Sequence, residues 1–255
     1  MRNIWIVAHN TTKEILRDKV LYGLFVFALF LIFCSLLLGQ LSFAEQARIV
    51  TDLGLVATQV GCGMLSVFVG SSLVWKEIER QTVLTLLSKP VSRAKFLIGK
   101  FLGLGLVIIL VDILISTVLA LLIQNLGDVH WYQFIVAEIG ALFESLFLLS
   151  VAIFFGVFCR PIMTTVFTLS IWVLGHGIND LHYFSQKSPN EIFKAIGLGI
   201  SKFFPNLDYF NFKEAVIYGD AISSLSITRA FGIWIAWFII LSIASTWIFE
   251  KRDFT

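Results

Sequence analysis

From residue 20 to residue 41 the chain carries no charged side chain, and five more long apolar runs follow it. A helix needs about 20 apolar residues to cross the hydrocarbon of a bilayer. Inside lipid every backbone N–H and C=O must find a partner, which confines spanning structure to helices and closed barrels. Runs of this length therefore predict an all-α, polytopic membrane protein with six transmembrane helices, at 20–41, 53–75, 98–124, 134–158, 162–183 and 230–249. Composition agrees: 58% of residues are hydrophobic and 14% charged, where a soluble domain has roughly a quarter charged. Nothing in the charge pattern supports nucleic-acid binding. Cys34, Cys62 and Cys159 fall in or beside apolar runs without a paired spacing, so they read as small buried residues rather than a disulfide framework. The mixed polar stretch before the first run is too long for a cleavable signal.

Residues 1–19 predict an interfacial helix. Ile4, Ala8, Thr11 or Thr12, and Ile15 follow helical spacing, with Trp5 beside them and Arg2, Lys13, Glu14 and Arg17 on the other side. Such helices lie in the headgroup plane. The second span is rich in glycine, alanine and serine, which let helix backbones approach closely in lipid, so it is expected among other helices. Gly99 and Gly103 form a further small-xxx-small pair at the start of the third span. Residues 184–229 form an amphipathic outer segment, with one helix expected over 190–203 and a second over 212–221. It either lies on the outer leaflet or dips into it. Lys194, Gly197, Gly199 and Lys202 speak against a seventh span there.

Lysine and arginine concentrate on one side of the spans. That side holds Arg2, Lys13, Arg17, Lys19, the basic residues of the 76–100 stretch, Arg160, Lys251 and Arg252, whereas the two short loops opposite contribute only Arg48. The bias toward basic cytoplasmic loops puts both termini and residues 76–97 in the cytoplasm. Residues 76–97 are more than a turn. Charged helix formers lead to the apolar pair Leu86 and Leu87, and Pro90 then interrupts. Proline disfavours helix at Lys89, and Ser92 is a good N-cap for the next helix. The expected result is a short helix held near the membrane plane, with apolar side chains that need a protein partner or lipid headgroups.

Glu77-x-Glu79, Thr82, Leu86-Leu87, the run from Lys89 to Arg93, Phe96 and Gly99-Lys100 resemble the inner loop of type-2 ABC exporter permeases. The subgroup that looks most similar includes permeases of nitrous oxide reductase maturation and of gliding motility. Members often have glycine before the loop threonine, where this chain has Gln81. The resemblance implies a bacterial cytoplasmic-membrane permease with a cytoplasmic coupling helix seated in a separate ABC ATPase. Glu77, Glu79 and Arg80 would make polar contacts with the ATPase or the N-terminal helix. Leu86 and Leu87 would be apolar anchors, and Pro90 and Ser92 would shape the turn; Thr82, Lys89 and Arg93 belong to the same surface. A second permease, identical or similar, would complete the pathway, and a periplasmic partner is possible in such systems. ATP and Mg²⁺ would belong to the partner ATPase. This chain has no phosphate-binding G-x-x-x-x-G-K-[ST] loop, since the Gly99-Lys100 pair lacks both the first glycine and the hydroxyl. It is expected to be a permease rather than an enzyme.

Asp112, Glu138, Glu144 and His176 lie within the expected spans, with Asp180 near their outer end. At 1.5 Å per residue, Asp112 and Glu144 each fall roughly 15 Å from a membrane face. Intramembrane ionisable groups are functional candidates by default. They could line a pathway or make structural bonds, for example from Asp112 to Ser116 one turn on. Glu138, His176, Asp180 and His182 could converge on a metal or a proton, although ordinary interfacial placement is the simpler expectation. Two other functions fit less of the sequence: an ion-coupled secondary transporter or channel built on Asp112 and Glu144, and a membrane assembly scaffold driven by an ATPase. The substrate is not legible.

Overall fold

The computed structural model describes residues 2–41, 45–79, 93–127, 130–188 and 190–251. The chain forms α1 (Arg2–Ile15), α2 (Lys19–Gln40), α3 (Gln46–Leu73), α4 (Trp75–Glu79), α5 (Arg93–Ile123), α6 (Trp131–Gly156), α7 (Pro161–His176), α8 (Ile178–Lys187), α9 (Glu191–Phe203), α10 (Lys213–Tyr218) and α11 (Ser224–Lys251). A 3-10 turn, Leu207–Phe210, sits between α9 and α10, and no strand occurs among the described residues. Five helices are long and apolar enough to cross a membrane, and a sixth crossing arises if α7 and α8 count as one bent span. The helices outrun several of the expected spans: α3 begins at Gln46 rather than 53, and α11 at Ser224 rather than 230. Polar turns at a helix end keep their backbone bonds beyond the hydrocarbon, and hydropathy does not register them.

The chain threads between two faces. One, here the N-terminal face, gathers α1, α4, the start of α5 and the end of α11, where Phe96 and Phe249 stack with centroids 6.2 Å apart. On the opposite face Arg48 lies over the Tyr218 ring at 5.9 Å, and Gly219, at φ 72°, closes against His130.

With α6, α3 is the most buried of the spans, for the reason its composition suggests. A β-carbon added at Gly61 would lie 2.7 Å from the Ala28 methyl of α2, one at Gly63 2.7 Å from the Trp172 ring of α7, and one at Gly70 3.0 Å from the Ala152 methyl of α6. Its bare positions thus admit three different neighbours at close range, and van der Waals contact of this kind drives helix association in lipid. Aromatic contacts hold the otherwise exposed α11: Trp234 stacks on Phe143 of α6 at 5.5 Å, and Phe238 meets Phe101 of α5 at 4.5 Å.

Two elements differ from expectation in instructive ways. The N-terminal helix does not simply rest among headgroups; it docks on the start of α5. Val7, Ala8, Thr11 and Ile15 are buried, and the Thr12 hydroxyl donates to the Gly103 carbonyl at 3.1 Å. The Gly99–Gly103 pair therefore serves α1 rather than another span, while Trp5 and Ile6 stay exposed. The fifth span is not straight. It breaks at Gly177, and α8 leaves α7 at 56°.

Beyond that break, α9 returns along α8, with Gly197 seated on Ser185. Asn190 caps α9 by accepting from the Ile192 and Phe193 N–H groups. The following 3-10 turn buries Leu207 and Phe210 and lays the Phe210 carbonyl against Gly140. Gly140 is nine residues inside the α6 start at Trp131, about 13 Å along the axis. The segment before the last span thus dips between the helices and climbs back through α10. Irregular backbone at that depth is tolerable because protein surrounds it.

Gly103 and Gly23 make opposite predictions. A β-carbon at Gly103 would lie 2.6 Å from the Ala8 carbonyl oxygen, whereas one at Gly23 meets nothing within 4 Å. Gly103→Ala should destabilise by on the order of 1–3 kcal/mol through overpacking and loosen α1 to protease. Gly23→Ala should be neutral or stabilising by roughly 0.5–1 kcal/mol. Thermal unfolding and limited proteolysis of both variants in mild detergent check this.

Candidate functional site

Two polar clusters stand out in an otherwise apolar molecule. The first is on the N-terminal face, at the root of the 80–92 segment. Arg80, Thr82, Leu86, Leu87, Lys89, Pro90 and Ser92 lie outside the described residues, and Arg93 opens α5. Glu77 and Glu79 lie on α4, with Glu79 exposed. Lys100 on α5 is 3% exposed. Its ammonium is 2.7 Å from Glu77 Oε1 and 3.4 Å from Glu14 Oε2 on α1, and lies 5.8 Å from the Phe96 ring centroid. A buried ammonium needs this much company, because an ion withdrawn from water costs several kcal/mol unless paired and hydrogen-bonded.

A second bridge runs beside it. Asp18 caps α2 by accepting the Val20 N–H at 3.0 Å and pairs with Lys76 at 3.1 Å. The Val20 bond above all holds the Asp18 carboxyl below its ordinary value; burial opposes it, and the Lys76 ammonium adds to the lowering. Together the bridges tie α1, the cap of α2, α4 and α5 into one clamp. Lys100 reads in sequence as one more basic residue beside the loop; its burial between two carboxylates depends on where α1 docks.

The second cluster lies inside the membrane region. Glu144 of α6 is 1% exposed. It accepts from the Trp172 indole N–H at 2.6 Å and from the Gln59 amide, and His176 Nε2 is 3.6 Å from its Oε1. Gln59 Nε2 is also 3.2 Å from His176 Nε2, while His176 Nδ1 is buried with no hydrogen-bond partner. Three helices thus converge on one carboxylate. The inserted loop lies above: Asn179 donates to Asp208 at 2.6 Å, and Asn206 donates to Asn179 at 2.7 Å. Gln59 and Trp172 are the residues that sequence reasoning missed. The available signal was an amide in a span of small residues and a tryptophan away from an interface, since polar side chains in lipid seek partners across helices.

The remaining candidates are placed differently. Asp112 does not bond Ser116, whose hydroxyl donates to the Ile113 carbonyl. It faces the neighbouring helix and accepts from the Cys62 thiol at 3.6 Å. Glu138 is buried within electrostatic reach of Asp112, and both its oxygens lack a hydrogen-bond partner. Convergence of Glu138, His176, Asp180 and His182 does not occur. His176 joins Glu144, Asp180 is exposed, and His182 Nδ1 meets Ser201 at 3.2 Å. The break at Gly177 separates His176 from Asp180, which an unbroken helix would have set on one face. No group of three potential metal ligands gathers among the described residues.

Lys100→Met removes the cation that Glu77 and Glu14 both contact and should destabilise by about 1–3 kcal/mol; the thermal midpoint of the variant measures this. Asp18 gives a pH test. Because its folded pKa is depressed from 3.8, its stabilising effect is present above that value and lost as pH falls through the lower folded one. Acid lability of the α2 start, read by hydrogen exchange at Val20, should vanish in Asp18→Asn.

The chain compares with known proteins as follows. A family described as ABC-2 family transporter protein matches residues 5–254. No curated protein matches. With nearly the whole length covered and the apolar helices already described, the chain belongs to the ABC-2 transporter family, as a multi-pass membrane subunit of an ABC transporter.

Proposed function

We propose that the chain is the permease of an ATP-driven exporter in a bacterial cytoplasmic membrane, with both termini cytoplasmic, and that residues 76–97 are its coupling region, with 80–92 as the part that meets the ATPase. The observation that carries this reading is the clamp at the root of that segment. A separate ATPase would seat the segment through Leu86 and Leu87, with Glu79 and Arg80 making polar contacts. Closure of two ATPases would then displace residues 80–92. The displaced segment joins α4 at one end and α5 at the other, and the Glu77–Lys100 pair bridges those two helices. Load entering at either end is shared with α1 through Glu14. It reaches the buried α3 instead of being absorbed by a slack loop.

The Glu144 cluster is the natural receiver. Gln59 rides on α3, which runs into α4, and Trp172 and His176 ride on α7. A small shift of α3 would exchange one set of hydrogen bonds for another, and packed cores respond to such shifts by switching between discrete arrangements. A second permease, identical or similar, would supply the other half of the pathway. ATP and Mg²⁺ would sit on the ATPases, and Glu77, Pro90, Ser92, Thr82, Lys89 and Arg93 would shape the coupling surface. The partnerless Glu138 near Asp112 favours one rival, an ion-coupled transporter that needs no ATPase.

Purification of the tagged chain from its native membrane in mild detergent tests the reading. A nucleotide-binding subunit should copurify, and its ATP hydrolysis should respond to the chain. Charge reversal at both positions, Glu79→Arg with Arg80→Glu, should weaken the association at least several-fold without changing the thermal midpoint. Absence of any nucleotide-binding partner, with proton- or cation-driven transport by the chain alone in vesicles, would favour the rival.

A further inference from the structure

A cavity of about 220 Å³ opens between α6, α7, α11 and the residues that follow α9. Apolar and aromatic side chains, with Pro205, line it throughout. Phe147 and Trp237 meet edge to face at 6.1 Å on one wall. Val151 and Phe155 continue the α6 wall, Leu241 the α11 wall, and Phe204 closes the cavity from the dipping loop. Phe147 is sixteen residues from the α6 start and Trp237 thirteen from the α11 start, about 24 and 20 Å along their axes. Phe155 is one residue from the α6 end at Gly156, so the cavity runs from the bilayer interior toward the N-terminal face.

Its size and chemistry decide what fills it. Apolar cavities of roughly 150 Å³ stay free of water and take up hydrocarbon. Water entering here would find no cluster of polar partners. The cavity is partly open, and Phe155, Trp237 and Leu241 are only half-buried. Next to Trp237 and Leu241 on α11, Ile240 is exposed and apolar, and Ile239 and Ile243 continue that apolar exposure around the helix. The medium against that flank in a membrane is lipid tail. We propose that this cavity is a binding site for an acyl chain of a bilayer phospholipid, held between α6 and α11 and covered by Phe204. The bound chain supports the dipping loop from below, and this role stands independently of any ATPase.

Photolabelling in vesicles tests the site. The purified chain is reconstituted in phosphatidylethanolamine and phosphatidylglycerol doped with a phosphatidylethanolamine carrying a mid-chain diazirine, then irradiated and mapped by mass spectrometry. Labels on residues 147–155 and 237–241 should exceed those on the exposed α5 surface at Ile113 and Leu114 several-fold. Val151→Trp and Leu241→Trp, which fill the cavity, should each reduce the excess to the level of that surface. If a filling variant fails to fold, the wild-type label distribution still decides. Labelling no higher than on α5 overturns the proposal, as does an excess that both folded variants leave unchanged. Protection of Phe155 and Trp237 by a second copy of the chain would show up as missing label and would overturn it equally.

Discussion

The ammonium of Lys100 is the group on which the N-terminal face depends. It is buried at 3% exposure between a carboxylate of α4 and a carboxylate of α1. A cation in that position is tolerable only if both neighbours stay where they are, so the charge fixes helix placement as much as it stabilises. Gly99 and Gly103 make the arrangement possible by letting α1 approach the α5 backbone. Neither part suffices alone: the glycines provide contact without direction, and the ion pairs provide direction without contact.

From that clamp the architecture runs inward along α3. Its bare glycine faces meet α2, α6 and α7 closely, leaving little slack for α3 to move without moving its neighbours. Gln59, part-way along it, reaches the Glu144 carboxylate that also holds Trp172 and stands near His176. Beside this cluster the dipping loop is tied to α8 by the bonds of Asp208 and Asn206 to Asn179. A continuous chain of close contacts therefore joins the root of residues 80–92 to the buried polar centre, a contiguous physical network of the kind that carries coupling between distant sites.

The all-α membrane class and the five long apolar crossings, with a sixth where α7 and α8 count as one bent span, were legible in the sequence because a span needs a long apolar run and little else. What escaped depends on distant partners. A glycine in a helical pattern is usually tolerated, so the break at Gly177 had no local mark. Asp112 could be assigned to Ser116 by helical spacing, yet Cys62 of another helix is its partner. Glu144 and His176 were recognised as costly groups, but Gln59 and Trp172, which satisfy the carboxylate, look ordinary in one dimension. Lys100 counted as a basic loop residue because the third span begins there, and only the docking of α1 buries it.

One buried ammonium makes α1 and α4 a single body at the root of the 80–92 segment. Lys13 on α1 and Glu79 on α4 are both exposed and can carry spin labels without entering the clamp. Pulsed electron–electron resonance between those positions, in lipid nanodiscs, reads the relation directly. A single narrow distance distribution in the otherwise native chain, broadened in Lys100→Met, is the result this account predicts. Distributions of equal width in the two proteins would show that Lys100 does not hold the helices together, and the account would fail.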